Sequence, residues 1–189
     1  RPRDLQYALK WAIAERAVDA SRITAVGYSL GGYSVAALAG VRLNPAVAAG
    51  VLSGAIPVPP LPEYPSLVED LAAAYSPAQL ADAAASAGAG LRDARVGRVV
   101  MLAPAVGQLV DPASLAGVDV PALVMWGADD TVASPGDNAL VYRDGIAGAL
   151  GVELGAYDHG IFRSDVPEPA NGREIRAAVA TRVAEFLAG

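Results

Sequence analysis

Cysteine is missing altogether from the 189 residues, which excludes a disulfide framework, a thiolate metal site and a cysteine nucleophile. Histidine occurs once, as His159, so any step that needs an imidazole has a single candidate. Lysine also occurs once, as Lys10 among 14 basic residues, and alanine is abundant, the look of GC-rich bacterial coding more than of functional choice. No run approaches the roughly 18–20 uninterrupted apolar residues of a membrane span. No basic cluster is present either: 20 acidic and 14 basic residues are scattered and sum to a net charge of -6, which argues against nucleic-acid phosphates and anionic lipid as partners. A charged stretch followed by an apolar signal-peptide core does not open the chain, which begins at Arg1. What remains is apolar, at 53% hydrophobic and 18% charged with a mean hydropathy of +0.35, too apolar for disorder and of a length that suits one domain.

Apolar spacing predicts an amphipathic helix over residues 4–19, with Leu5, Leu9, Ala12, Ile13 and Ala17 on one face that packs on a sheet. Residues 23–26 are a short β-prone run ending at Gly27, and residues 30–41 are small, apolar and helical in pattern. Between residues 44 and 92 the character changes. Pro45, Pro57, Pro59, Pro60, Pro62 and Pro65 break its front, and residues 67–75 and 78–87 are helix-forming, so the segment reads as an insertion or cap. Residues 95–103 and 121–126 are continuous apolar runs suited to parallel strands covered on both faces. A short helix over 135–142, a last strand over 152–156 and a terminal helix over 171–188 complete the pattern. The terminal helix carries the stripe Ile175, Val179, Val183, Phe186 and Leu187. Strand and helix alternate, the mark of an α/β fold with a mostly parallel sheet flanked by helices.

Gly27-Tyr28-Ser29-Leu30-Gly31 is a G-x-S-x-G sequence where a strand gives way to a helix, the context that makes the serine a nucleophile at a strained turn. Glycine at both flanks admits close backbone approach. The helix N-terminus favours developing negative charge, with Leu30 N–H as an oxyanion donor. A serine hydroxyl needs a base, and His159 falls in a loop after the last predicted strand, where α/β active sites collect. A carboxylate between the two should orient the imidazole. Asp130 is the first choice; Asp129 beside it and Asp111 after the previous strand are the alternatives, while Asp158 reads as a solvated loop charge.

The order Ser29, Asp130, His159 resembles the α/β-hydrolase superfamily, most closely the bacterial dienelactone-hydrolase-like esterases related to platelet-activating-factor acetylhydrolases. Arg1-Pro2-Arg3-Asp4 resembles that family's R-P-x-D helix start, and Gly27-Tyr28-Ser29-Leu30-Gly31-Gly32-Tyr33 its elbow. Leu91-Arg92-Asp93-Ala94-Arg95-Val96 and Leu102-Ala103-Pro104-Ala105 resemble the ends of its next strand, and Gly127-Ala128-Asp129-Asp130-Thr131-Val132 its G-x-x-D-T-V acid turn, a second reason to prefer Asp130. Dienelactone hydrolases proper carry cysteine where Ser29 stands, so the resemblance implies an ester rather than the lactone of that name.

The family fold places several strands before the elbow, and one of their loops supplies a second oxyanion donor. Only 28 residues precede Ser29 here. The sequence therefore reads as the C-terminal portion of an α/β-hydrolase fold with the N-terminal strands absent: one partial domain over 1–189, with 44–92 inserted in it. The expected function is carboxylic-ester hydrolysis through an acyl-enzyme, with no cofactor, no metal and a small-molecule ester as substrate. The alternative is a non-catalytic half-domain that associates with an N-terminal fragment or chain, or with a second copy. An apolar run such as residues 23–26 should be buried on both faces and paired on both edges, but one edge is expected to have no partner within this chain and to stay exposed until such a partner covers it.

Overall fold

The computed structural model describes residues 1–58, 64–167 and 169–189. Pro59, Pro60, Leu61 and Pro62 of the proline-rich front lie outside the described residues. Four strands, β1 (Thr24–Tyr28), β2 (Arg98–Leu102), β3 (Ala122–Trp126) and β4 (Leu150–Glu153), form one sheet in the order β1-β2-β3-β4. Every pair is parallel, with Val26 opposite Val100, Met101 opposite Val124, and Met125 opposite Val152.

Two central strands without polar alternation need cover on both sides, and they have it. Val99, Met101, Val124 and Trp126 pack in one cluster with Val35 and Leu38 of α2 (Leu30–Leu38) and Tyr142 of α7 (Ala139–Gly145). Val100, Leu123 and Met125 point the other way, onto α8 (Gly172–Ala188), where Val179 is buried and Ile175, Val183 and Phe186 pack beside it. This is a parallel sheet flanked by helices, the α/β-hydrolase arrangement from the elbow strand onward. Among the described residues no helix is long and apolar enough to cross a membrane.

Helix α1 (Pro2–Glu15) stops short of the expected residue 19 and buries no residue completely. It is held to the β2 lead-in by polar contacts as much as by Leu9. Gln6 Nε2 donates to Leu91 O at 3.1 Å, and the Arg95 guanidinium, bidentate on the buried carboxylate of Asp93, also reaches Gln6 O at 3.3 Å.

The described residues of the 44–92 span form three helices where two were expected. Pro45 opens α3 (Pro45–Leu52) instead of breaking the chain, because Asn44 caps it and proline at the first helical position forfeits an N–H that has no helical partner. Helices α4 (Leu67–Ala74) and α5 (Pro77–Ala87, opened by a Ser76–Gln79 capping box) follow. An apolar cavity of about 450 Å³ lies among the three, lined by Leu52, Ala72, Tyr75 and Leu80.

The open edge expected for residues 23–26 within this chain is present. Ile23 and Ala25 do pack on the α2 face, but Val26 is 50% exposed, and among the described residues β1 pairs on one edge only. Val26 instead looks into an apolar groove of about 440 Å³ against α8 that also takes in Leu102, Phe162, Val183 and Leu187. An edge strand lacks the neighbour that would close its outer side.

Candidate active site

The C-terminal ends of β1, β3 and β4 face one rim of the sheet, and the three candidate residues come from the turns that follow them. Ser29 sits between β1 and α2 at φ 55° and ψ −123°, a conformation that L-residues avoid and that an over-determined turn can hold. The turn is fixed by its carbonyl and amide. Ser29 N–H donates to Leu102 O at 2.9 Å, and Ser29 O accepts from Ala105 N–H at 3.1 Å and Gly32 N–H at 2.8 Å. Ala105 is held in its turn by the hydroxyl of the buried Tyr142, which donates to Ala105 O at 2.8 Å. Burial pushes that phenol's pKa up, keeping it a donor.

The two motif glycines differ. A Cβ on Gly27 would stand 2.1 Å from Gly31 O, so the turn closes only without one. Gly31 has open space around its missing Cβ, contrary to the expectation that both flanks are sterically required. The second close approach belongs to Gly32, whose Cβ would lie 2.8 Å from Pro104 Cα.

His159 begins a 3₁₀ turn, His159–Phe162, capped by Asp158, whose carboxylate accepts from Gly160 N–H. His159 is 5% exposed, and both ring nitrogens are engaged: Nε2 lies 2.9 Å from Ser29 Oγ and Nδ1 lies 2.7 Å from Asp130 Oδ2. Asp130, 3% exposed, follows β3, and its other oxygen accepts from the backbone N–H groups of Val132 and Ala133. A carboxylate with acceptors only fixes the tautomer: Nδ1 carries the proton, and Nε2 is free to accept from the serine hydroxyl.

The structure therefore brings together Ser29, His159 and Asp130, and leaves Asp129 and Asp111 apart from them. Asp129 is exposed. Asp111 caps α6 (Pro112–Ala116) through Ala113 N–H and pairs with Arg42 at 3.2 Å. Leu30, the residue after Ser29, opens α2, where helix geometry leaves its N–H without an intrahelical acceptor. Among the described residues no group of three or more His, Asp or Glu side chains is placed to hold a metal ion. Tyr28 carried no role in the sequence, because the motif leaves its position open. In the fold it reaches the histidine turn, 131 residues on.

No protein-family model and no curated protein matches the chain. Solved structures similar to it include the esterase domain of a Rhodothermus marinus protein, at TM-score 0.49 and 15% identity over 95% of this chain and 68% of that one. A carboxylesterase of Lactobacillus plantarum matches at TM-score 0.49 and 19% identity over 100% of this chain and 67% of that one. A hydrolase of Pseudomonas aeruginosa matches at 0.47 and 23% over 100% and 71%. The chain thus spans about two thirds of the length of such proteins, down to 64% for a second Lactobacillus plantarum structure. Its own topology, four parallel strands in the order β1-β2-β3-β4 with an elbow after the first and turns bearing Asp130 and His159 after the third and fourth, is that of the α/β-hydrolase fold.

Proposed function

We propose that the chain carries the catalytic centre of a serine hydrolase that cleaves carboxylic esters, with Ser29 as nucleophile, His159 as base and Asp130 as its orienting acid. The observation that carries this reading is the continuous hydrogen-bonded chain from Ser29 Oγ through both imidazole nitrogens to a buried carboxylate, at 2.9 and 2.7 Å. In such a chain the imidazole takes and returns the proton, while the carboxylate stays ionised and stabilises the imidazolium. His159 Nε2 takes the hydroxyl proton as Oγ bonds to the acyl carbon, and the former carbonyl oxygen, now an anion, accepts from Leu30 N–H. The imidazolium, stabilised by Asp130, hands the proton to the departing alkoxide and leaves an acyl-serine. Water, deprotonated by the same nitrogen, then attacks the acyl carbon, and the proton returns to Ser29 Oγ as the acid departs.

The triad sets the reaction type and not the leaving group, so the motif resemblance selects ester over thioester, peptide or peracid. Residues 44–92, with the apolar cavity among α3, α4 and α5, would serve as a cap contributing to substrate selection. A fluorophosphonate probe and a chromogenic short-chain ester test the reading. Covalent labelling at Ser29, lost in Ser29→Ala with the melting temperature kept, supports it. Retention of more than a few per cent of activity in that variant would sink it.

A second reading is favoured by one observation, the half-exposed Val26 on the β1 edge. In that reading the chain acts only when a further segment, a partner chain or a second copy covers the edge, and the second oxyanion donor comes with it.

A further inference from the structure

Tyr28 ends β1 and is joined to Ser29 by a peptide bond, yet its side chain belongs to the histidine turn. Its hydroxyl donates to the backbone carbonyl of His159 at 3.0 Å. The phenol ring lies 4.9 Å from the imidazole, centroid to centroid, at an interplanar angle of 37°. Its centroid is also 6.0 Å from that of Phe162, at the other end of the same 3₁₀ turn, and the Arg163 guanidinium just beyond interacts electrostatically with the same side chain. We propose that Tyr28 is a positioning residue that sets the distance between nucleophile and base, so that the nominally free position of the G-x-S-x-G motif is here part of the machinery; this rests on the reading of Ser29 and His159 given above.

Ser29 and Asp130 engage the two edges of the imidazole, which settles the ring in its plane. They do not fix where the main chain carries the ring, and misplacement by about 1 Å can cost on the order of 10² in rate. The hydrogen bond from Tyr28 to His159 O ties that main chain to the residue next to the nucleophile, so both partners of the proton transfer move as one body. The ring contact adds a second effect. When His159 becomes an imidazolium during turnover, the electron-rich phenol stands beside the new positive charge and favours it.

Two variants separate the effects. Tyr28→Phe keeps the ring and deletes only the hydroxyl, whereas Tyr28→Leu removes both. Because the chain has a single histidine, its Hε1 resonance in a proton NMR spectrum reports the placement of His159 without reference to activity. Y28F is expected to react with a fluorophosphonate about 3- to 10-fold more slowly than wild type, the loss of one hydrogen bond. Y28L is expected to lose a further factor of about 3 to 10 with the aromatic contact. In both, Hε1 leaves its wild-type position, and kcat for the short-chain ester falls with KM unchanged. A Y28F that labels at the wild-type rate with Hε1 unmoved overturns the proposal, as does one whose only defect is a lower melting temperature. If Y28L does not fold, Y28F decides alone. If the wild-type chain takes no label either alone or with an N-terminal segment supplied, the nucleophile assignment fails, and the Hε1 position in Y28F then decides by itself whether Tyr28 holds the imidazole.

Discussion

Asp130 meets His159 through one carboxylate oxygen only: Oδ2 lies 2.7 Å from Nδ1, while Oδ1 takes the N–H groups of Val132 at 3.0 Å and Ala133 at 2.7 Å. Both oxygens must therefore be acceptors. An asparagine can supply an acceptor to one side alone, and its amide N–H₂ then faces either two backbone donors or the imidazole. Asp130→Asn is expected to lower kcat by about 10³–10⁴, through the wrong imidazole tautomer or a displaced turn. Asp129→Asn, at an exposed position, should stay close to wild type. Steady-state kinetics on the two variants checks the ranking, and the reverse order would move the acid by one residue.

The two glycines flanking the elbow should part company under substitution. Gly27→Ala drives a Cβ to 2.1 Å from a backbone oxygen that cannot retreat without opening the turn, so it is expected to destabilise by several kcal/mol or to prevent folding. Gly31→Ala meets nothing within 4 Å and lies in the first turn of α2, where alanine is the better helix former by up to about 1 kcal/mol. Thermal melts should show Gly31→Ala at or above the wild-type midpoint. A larger loss in Gly31→Ala than in Gly27→Ala would show that the turn closes differently.

The Asp93–Arg95 pair predicts an acid-dependent weakness. Hydrogen bonds from the Arg95 side chain hold the Asp93 carboxyl below its ordinary value of 3.8 against the opposing effect of burial. A carboxylate more acidic in the folded than in the unfolded chain adds stability that is complete above the unfolded pKa and is lost as pH falls through the folded one. Asp93→Asn should therefore melt earlier at neutral pH, by about 1–3 kcal/mol, and the gap to wild type should close as the pH is lowered below about 4. Calorimetry over that range measures it; a gap independent of pH would mean that the pair contributes packing and not charge.

How far the sequence carries depends on whether a feature is local. The elbow is legible because its requirements fall on consecutive residues, and the parallel core is legible because β3 and, after Arg98, β2 are apolar runs that nothing but two-sided cover would suit. Helix α3 is not, since Pro45 looks like a break until Asn44 is seen accepting from Ala46 and Val47. Asp129 and Asp130 are hard to separate by composition. What separates them in space is that the strand's last turn buries one side chain and exposes its neighbour. The Tyr28–His159 bond joins positions 131 apart through a residue the motif leaves open, so no local pattern announces it.

The open edge of β1 yields the last prediction. Thr24, Val26 and Tyr28 share the face of β1 opposite the α2 cluster, and Val26 lies half-exposed beside the apolar groove against α8. Tyr7 and Trp11 of α1 add exposed rings at 73% and 55%. Backbone groups on an unpaired edge together with this much apolar surface template association. The 189-residue chain made alone is expected to self-associate in light scattering, and Val26→Lys, a charge on the edge, to reduce it. Supplying an N-terminal segment that carries further parallel strands is expected to give a monodisperse species active on a short-chain ester. A stable monomer that hydrolyses the ester unaided at roughly 1–10³ per second would refute this and show that the four strands suffice.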